Sequence, residues 1–478
     1  MPDPVTVEPR LSRGLRDLLP DQMLARQAVL DAARQVYETY GFVPLATPAI
    51  EYLDVLSGSA GQEVSQTIFR VVSPEEEPLG LRFDLTVPLA RVIAQYPDLP
   101  RPFRRYQVSP VFRADKPGPG RFREFTQFDL DSVGTESEIA DTEIIAGMCD
   151  TLAAIGAGPY QVRFSSRRIL DLLLRQSEIP AEEGVDVLRV LDKLDKIGLD
   201  KVKKELTVGY VDESGDPIRG LGLASGQVER IERFLEIRAD DRREVLAKLR
   251  EYFSGLAEAA PELDLVERIS NHLYSLGYAE DQTVLDLSIA RGLAYYTGPV
   301  FEAVLLDAPQ FGSVFGGGRY DDLVMRFRGE RIPATGASLG VDRLLAALVH
   351  LGRAGGRKST SQVLVARIDP ALEAESLAMT YELRRAGIPA ELYLGVEKSI
   401  GKQVKYADST GIPIVLLYGS QEKERGVVTL KDMEAGRERA KKLEDRREWL
   451  AARPGQREVL RADLIAEARR MLDASAEG

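Results

Sequence analysis

The stretch RPFRRYQVSPVFRADKPGPGRFREFTQFDLDSVG, residues 101–134, contains two strand-like runs separated by a tract rich in proline and glycine. The Pro-Gly-Pro-Gly sequence at residues 117–120 predicts a loop that joins two antiparallel strands. Residues 101–125 carry seven basic and two acidic side chains, a local charge of +5. Such a hairpin suits a polyanionic phosphate ligand, although a solvated basic face has the same composition.

The second run of the hairpin places three polar side chains at alternate positions. Gln127, Asp129 and Asp131 therefore point to one face of a strand. Asp84 occupies a similar strand-like context in LRFDLTV. Polar groups on a buried face need partners, and a positively charged amine is an efficient one. A solvent-facing strand remains the alternative interpretation of this alternation.

Outside the hairpin the chain alternates short strand-like runs and helices, which predicts an α+β fold: an antiparallel sheet flanked by helices. Amphipathic helices dominate one long block and indicate an inserted helical domain. The C-terminal part alternates strands and helices, which predicts an α/β domain with a mainly parallel sheet. One helix is expected near residues 337–352 and another over residues 434–474. The predicted divisions are a first domain in two parts, residues 1–164 and 276–352, an inserted helical domain, 165–275, a linker, 353–361, and a C-terminal domain with a helical tail, 362–478.

Composition excludes several classes of protein. The 478 residues suffice for about three domains. One cysteine, Cys149, and two distant histidines, His272 and His350, argue against a disulfide framework, a zinc enzyme and a serine–histidine hydrolase. The sequence shows neither a long apolar run nor a secretory signal, so no membrane partner is expected and the cytoplasm is the expected location.

The net charge of −12 argues, taken alone, against a nucleic-acid partner. The excess acidity lies within residues 1–360, since residues 361–478 contain 20 basic and 20 acidic side chains. The C-terminal part is therefore neutral, and contact with a nucleic acid would depend on local patches.

Several arginines lie in or beside strand-like runs, where a charge must pair with a side chain or meet a ligand. They are Arg113, Arg121, Arg123, Arg291 and Arg343. The planar guanidinium matches phosphate oxygens, so convergence of three or more would favour binding and transfer at a nucleoside triphosphate. Ion-paired framework arginines are the alternative.

Tyrosines and glycines supply weaker signals. Tyr295, Tyr296 and Tyr320 offer hydroxyl groups on apolar rings, although core packing explains such residues equally well. The three glycines at residues 316–318 permit close backbone approach at a strand end. Neither a P-loop nor a dinucleotide-binding glycine motif is present.

The motifs LRFDLTVPLAR, VFRADKPGPGRFREFTQFDLD, ARGLAYYTGPVFE, GGGRYDDL and ATGASLGVDR follow one another along the chain. Together with VKYADSTGIPIVLLYG and GVVTLKDM, they resemble the class II histidyl-tRNA synthetase family over nearly the whole chain. The resemblance implies a class II synthetase-type sheet and a C-terminal anticodon-binding domain. It also implies activation of L-histidine with ATP and Mg²⁺, transfer to tRNA(His), and a homodimer formed through LATPAI at residues 45–50.

The resemblance assigns roles by position. Catalysis would depend on Arg291 and Arg113, which neutralise the α-phosphate. The ATP-binding residues would be Arg113, Asp115, Arg121, Phe125 and Arg343, with the Phe125 ring stacked on adenine. The histidine-binding residues would be Asp84, Leu85, Thr86, Gln127, Asp131, Arg291, Tyr295, Tyr296 and Tyr320. No protein side chain is assigned as a metal ligand.

Four residues depart from the family's usual pattern, namely Thr126, Ala294, Phe315 and Asp322. None of them removes an implied contact. They keep open three alternatives: a regulatory subunit of an ATP phosphoribosyltransferase, a sensor of uncharged tRNA, and a ligase for a different amino acid. The retained C-terminal domain and the arginines favour the synthetase.

Overall fold

The computed structural model describes residues 7–58, 67–118, 121–212, 215–289, 295–354, 358–397, 399–435 and 455–476. The chain divides into two compact units. The first unit combines Met1–Asp17 with Ala28–Arg353, and the second combines Leu18–Gln27 with Ala354–Gly478. The domain boundaries proposed from the sequence stay predictions.

An eight-stranded sheet forms the centre of the first unit. The strands of this unit are β1 (Val43–Pro44), β2 (Ile50–Tyr52), β3 (Arg70–Val71), β4 (Leu79–Leu81), β5 (Phe103–Phe112), β6 (Glu124–Val133), β7 (Tyr160–Ser166), β8 (Gly209–Val211), β9 (Pro217–Arg219), β10 (Thr283–Leu285), β11 (Pro299–Leu305), β12 (Ser313–Arg319) and β13 (Ala334–Gly340). The large sheet has the order β1-β5-β6-β13-β12-β11-β7-β10. Its inner pairings are antiparallel. At the two edges of the sheet, β1 pairs in parallel with β5, and β10 pairs in parallel with β7. The predicted antiparallel α+β fold is confirmed.

Helices flank the sheet or follow β7 as a block. They are α1 (Pro20–Thr39), α2 (Leu53–Ser57), α3 (Thr86–Gln95), α4 (Glu138–Ile155), α5 (Arg167–Gln176), α6 (Ala181–Leu191), α7 (Leu194–Leu206), α8 (Ser225–Leu235), α9 (Arg242–Tyr252), α10 (Ala259–Ser275), α11 (Met325–Arg328) and α12 (Val341–His350). Ser137 caps α4 by accepting from the Ile139 amide, and Gly156 ends it in a left-handed conformation. Helices α5 to α10, with the hairpin β8–β9, separate β7 from β10 along the chain.

The hairpin β5–β6 forms as predicted, and its register decides which side chains meet. Arg105 pairs with Asp131, and Gln107 pairs with Asp129. From Thr126 onward β6 is buried, and β5 and β13 pair along its two edges. The polar residues on its inner face are therefore removed from water and need partners within the protein or in a ligand.

Two glycines let β12, β13 and a side chain approach closely. A Cβ atom on Gly317 would lie 2.1 Å from the Gly336 carbonyl oxygen. A Cβ atom on Gly336 would lie 2.0 Å from Oδ1 of Asp131. No side chain larger than hydrogen fits at either position without movement of its neighbours.

The expected helix near residues 337–352 begins later than predicted. Residues 334–340 form β13, and the helix α12 starts at Val341. The small residues of ATGASLG allow this segment to pair with β6 on one side and β12 on the other. That pairing continues the sheet through residue 340, so the first residues of the predicted helix are strand.

The second unit contains a five-stranded sheet and corrects two expectations. Its elements are β14 (Val363–Val365), α13 (Glu373–Arg385), β15 (Ala390–Leu392), α14 (Ile400–Thr410), β16 (Ile414–Leu417), α15 (Ser420–Arg425), β17 (Val427–Asp432), β18 (Gln456–Leu460) and α16 (Leu464–Ala476). In the order β15-β14-β16-β17-β18, the first two pairings are parallel and the last two are antiparallel. The sheet is therefore not mainly parallel. The predicted helix over 434–474 is wrong at 456–460, where Val459 is buried in a strand; residues 436–454 of it lie outside the described residues.

Candidate active site

A buried ion cluster lies at the centre of the large sheet. The Arg105 side chain is fully buried, and its Nη2 atom lies 2.8 Å from Asp131 Oδ2 and 3.6 Å from Asp129 Oδ2. The same Nη2 atom donates to the Leu85 carbonyl at 3.3 Å. Oδ1 of Asp131 accepts a hydrogen bond from the Tyr320 hydroxyl. One guanidinium therefore faces two carboxylates that share a face of β6.

Burial governs the protonation of these carboxylates. The pKa of Asp129 is raised to about 7, chiefly by loss of hydration; Arg105 acts to lower it and Asp131 to raise it. Burial also raises the pKa of Asp131, against the effects of Arg105 and Tyr320. Gln127, the next residue along this face, donates from Nε2 to the Ser338 hydroxyl at 2.7 Å. The predicted alternation on β6 thus produces a buried polar face.

Asp84 lies just before helix α3, whose first residue is Thr86. Its Oδ1 atom accepts from the Val87 amide at 3.1 Å, which satisfies one free N–H group of the first helical turn. Burial raises the pKa of the Asp84 carboxyl, and the nearby charges of Arg113 and Arg105 lower it. Asp84 is therefore near both the buried cluster and the arginine that follows β5.

Arg113 lies at the base of the hairpin loop. Its Nε atom donates to the Phe83 carbonyl at 3.0 Å, and its guanidinium carbon lies 5.1 Å from the centroid of the Phe125 ring. The structure thus brings two of the predicted ATP-binding residues together. Arg121 and Asp115 are exposed on the loop, apart from this pair.

The other predicted phosphate-binding arginine lies in the first turn of α12. Arg343 donates from Nη1 to the Ser313 carbonyl at 2.6 Å. Its neighbour Asp342 forms an ion pair with Arg16 at 2.6 Å and accepts from the Thr126 amide at 2.6 Å. Sequence reasoning misses Arg16, because no local pattern connects positions 326 residues apart.

The predicted tyrosines occupy two kinds of environment. Tyr295 and Tyr296 have ring centroids 4.4 Å apart and hydroxyl groups 3.3 Å apart. Tyr320 is buried and belongs to the ion cluster. Arg291 and Ala294 lie outside the described residues, so their roles stay predictions.

The other departures from the family pattern have structural partners. Thr126 and Phe315 are buried in the sheet. Asp322 lies 3.4 Å from Nε of Arg331 in a surface ion pair. Nothing in these contacts places the three residues against the buried cluster.

Arg105 is the main site residue that sequence reasoning misses. It stands inside a strand, and the register places it directly opposite Asp131. An arginine in one run of a predicted hairpin, opposite alternating carboxylates in the other run, is the signal that could have identified it.

No group of three or more His, Cys, Asp or Glu side chains in the described ranges could hold a metal ion. No helix in that part of the chain is long and apolar enough to cross a membrane.

Two protein-family models match the chain. A family model described as histidyl-tRNA synthetase matches residues 14–344, and one described as anticodon binding domain matches residues 362–453. A curated histidine–tRNA ligase of Cereibacter sphaeroides is 44% identical over 485 residues, covering 96% of this chain and 97% of that protein. One of Paracoccus denitrificans is 44% identical over 481 residues, with coverage of 96% and 97%.

Solved structures have the same fold. The crystal structure of histidyl-tRNA synthetase from Nostoc sp. PCC 7120 matches with a TM-score of 0.82 and 31% identity, covering 97% of this chain and 100% of that chain. A Bacillus halodurans structure described as an ATP phosphoribosyltransferase regulatory subunit/histidyl-tRNA synthetase matches with a TM-score of 0.67 at 22% identity, covering 84% of this chain and 97% of that one. The second likeness concerns the fold alone.

Proposed function

The chain belongs to the histidyl-tRNA synthetase family, and from this premise we propose that it activates L-histidine with ATP and transfers the histidyl group to tRNA(His). It is an aminoacyl-tRNA synthetase, a ligase that uses ATP. The observation that carries the proposal is the 44% identity to a curated histidine–tRNA ligase over 96% of the chain. Such full-length identity favours the enzyme over a regulatory subunit or a tRNA sensor.

In the proposed first step, the histidine carboxylate attacks the α-phosphorus of ATP and diphosphate leaves. Two anions must approach each other, so fixed positive charge around the phosphate lowers the barrier. We assign Arg113 to the α-phosphate and the substrate carboxylate, and Arg121 and Arg343 to the outer phosphates. Arg291 is assigned a second charge at the α-phosphate from the family resemblance. The attacking carboxylate is already ionised, so this step needs no general base.

The buried cluster is the proposed histidine pocket. Asp131 and Tyr320 would bind the imidazole ring: the carboxylate would accept from a ring N–H group, and Tyr320, whose hydroxyl donates to Asp131, would hold that carboxylate in place beside the ring. Tyr295 and Tyr296 would line the same ring. An amino acid without ring nitrogens would leave these polar groups unpaired, which selects against it.

Asp84, Thr86 and Gln127 are the proposed contacts of the α-ammonium group. Support comes from the position of Asp84 before α3, where burial raises its carboxyl pKa and nearby guanidinium groups lower it. A cationic ligand beside this carboxylate would favour its ionised form.

Mg²⁺ is the proposed metal cofactor. It prefers six oxygen ligands and usually binds substrate phosphates, waters and one or two carboxylates. The residues assigned to the phosphates are arginines, so we assign the ion to the phosphate oxygens of ATP. There it would offset part of the charge that opposes attack.

A homodimer through the segment around β1 and β2 is also proposed. Val43, Ile50 and Tyr52 expose 48%, 44% and 47% of their surfaces, and β1 is an edge strand of the large sheet. Exposed apolar side chains beside a sheet edge are typical of an interface. Light scattering at micromolar concentration tests this proposal, and a monomeric mass would contradict it.

Exchange of labelled diphosphate into ATP, measured with each of the twenty amino acids, tests the activation step. We expect exchange with histidine alone, followed by charging of tRNA(His). Exchange with a different amino acid would reassign the substrate. A complete lack of exchange would favour the regulatory subunit.

A further inference from the structure

The inner face of β6 carries more hydrogen-bond acceptors than its protein contacts use. Asp129 is 2% exposed; a side-chain hydrogen bond joins it to Ser338, while its Oδ1 atom has no hydrogen-bond partner. Gln127 is 9% exposed, and its Oε1 atom has none either. The two residues are two positions apart on the same face of the strand. Buried acceptors are unfavourable when unpaired, so this face suits a ligand with several donors.

The charge on this face is also unbalanced. The guanidinium of Arg105 lies between Asp129 and Asp131. Its Nη2 atom is 2.8 Å from Oδ2 of Asp131 but 3.6 Å from Oδ2 of Asp129. The Nε and Nη1 atoms of Arg105 have no hydrogen-bond partner, so its polar contacts are made through Nη2. Asp131 is held at one oxygen by Tyr320 and at the other by the guanidinium. The Oδ1 atom of Asp129, which has neither a hydrogen bond nor the guanidinium beside it, is therefore open to a cationic ligand.

A third acceptor is close enough to act on the same ligand. Asp84 directly precedes Leu85, whose carbonyl accepts from Nη2 of Arg105 at 3.3 Å, the same atom that faces Asp129. Two carboxylates and an amide oxygen thus surround one region. An ammonium group offers three donors and a positive charge, which matches this set.

We propose that Asp129 is a specificity-determining residue that binds the α-ammonium group of histidine together with Gln127 and Asp84. The assignment rests on the proposed function and adds a contact to it. The imidazole ring is left to Asp131 and Tyr320, whose carboxylate and hydroxyl groups are already joined. In this assignment Asp129 contacts the ammonium end of histidine, and other residues bind its ring.

The primary test is Asp129→Asn, which keeps the side-chain shape and removes the charge. Calorimetry with L-histidine alone, and diphosphate exchange, measure the Kd and KM for histidine. Both should rise by about tenfold to a hundredfold, the usual effect of losing a charge-assisted hydrogen bond. The KM for ATP should change by less than about twofold. Wild-type affinity for histidine in this variant would overturn the proposal.

Glu262→Gln is the matched control. Glu262 is also buried, at 6% exposed, and burial raises its carboxyl pKa. It accepts from Ser166 rather than from the ion cluster. This variant should keep wild-type KM values for histidine and ATP. If Asp129→Asn does not give the circular dichroism of the folded protein, Asp129→Ala provides the second test of the same contact.

A histidine analogue identifies which end of the substrate Asp129 meets. In imidazole-lactate a hydroxyl group replaces the ammonium group, and competition against exchange measures its affinity. The preference for histidine over this analogue should fall by about tenfold or more in Asp129→Asn. An unchanged preference would show that Asp129 does not meet the ammonium group. Wild-type exchange with histidine, measured first, tests the proposed function separately.

Discussion

Arg16 and Asp342 form an ion pair at 2.6 Å that links the N-terminal segment to the first turn of α12. The other carboxylate oxygen of Asp342 accepts from the Thr126 amide at 2.6 Å. The guanidinium carbon of Arg16 also lies 3.7 Å from the centroid of the Phe122 ring. One side chain thereby holds together α12 and the hairpin, the two elements that carry the proposed ATP-binding arginines.

Arg16→Ala should therefore weaken ATP binding. Without the ion pair, Asp342 keeps its hydrogen bond to the Thr126 amide of β6 but loses its contact with the N-terminal segment. The hairpin and α12 are then held less firmly in position relative to each other. The KM for ATP in diphosphate exchange should rise by roughly threefold to tenfold, since a partly buried pair is worth about 1 kcal/mol. Arg34→Ala is the control, because Arg34 forms a 2.7 Å surface pair with Asp31. Equal KM values in the two variants would contradict the positioning role.

Arg113→Lys should reduce diphosphate exchange about a hundredfold or more. Lysine keeps the charge but loses the planar fork that can span a phosphate and a carboxylate. It also loses the Nε donor to the Phe83 carbonyl. Arg175→Lys is the comparison, because Arg175 is paired with Glu258 on the helical block. Exchange at the wild-type rate in Arg113→Lys would remove this residue from the proposed reaction.

Gly336→Ala should damage both stability and histidine binding. Its Cβ atom would lie 2.0 Å from Oδ1 of Asp131 and 2.7 Å from the Leu130 carbonyl oxygen. Because the backbone oxygen cannot yield, the Asp131 side chain must shift, which disturbs its hydrogen bond with Tyr320. The free energy of unfolding, measured with urea, should fall by about 2 kcal/mol or more. Gly226→Ala in α8 meets open space and should be neutral or stabilising by up to about 1 kcal/mol.

The raised pKa of Asp129 predicts a pH-dependent stability. The folded carboxyl has a pKa of about 7 against an ordinary value of 3.8. Between these two pKa values the folded state binds the proton more strongly than the unfolded state. The free energy of unfolding therefore falls as the pH rises through this range, and it becomes constant above about pH 7. The charged and titratable groups that act on it are Arg105, Asp131, Asp84, Arg82, Tyr37, Tyr295 and Tyr320.

Asp129→Asn should remove this contribution. Urea denaturation from about pH 5 to about pH 8.5 should give a smaller loss of unfolding free energy with rising pH than in the wild-type protein. Some slope will remain, because burial also raises the pKa values of Asp131 and Asp84. Parallel curves for the two proteins would show that Asp129 is not the group that titrates.

Local pattern was enough for the hairpin and for the shared face of Gln127 and Asp131, because loop residues and strand alternation act over a few positions. It did not identify Arg105, whose partner is set by strand register, or Arg16, whose partner is 326 residues away. It also predicts helix at residues 337–340, where small side chains fit between two strands. Pairing partners distant in sequence decided each of these cases.

Tyr406→Ala should weaken tRNA binding without affecting histidine activation. Tyr406 is 39% exposed on α14 and packs against Tyr393 with centroids 5.5 Å apart, while Leu394 and Val396 nearby in sequence are 77% and 92% exposed. Exposed aromatic and apolar groups suit stacking with unpaired bases. The KM for tRNA(His) should rise about fivefold to tenfold, with diphosphate exchange unchanged. Tyr381→Ala is the matched control, because Tyr381 is 48% exposed on α13 of the same unit. An equal rise in both variants would place the contact elsewhere.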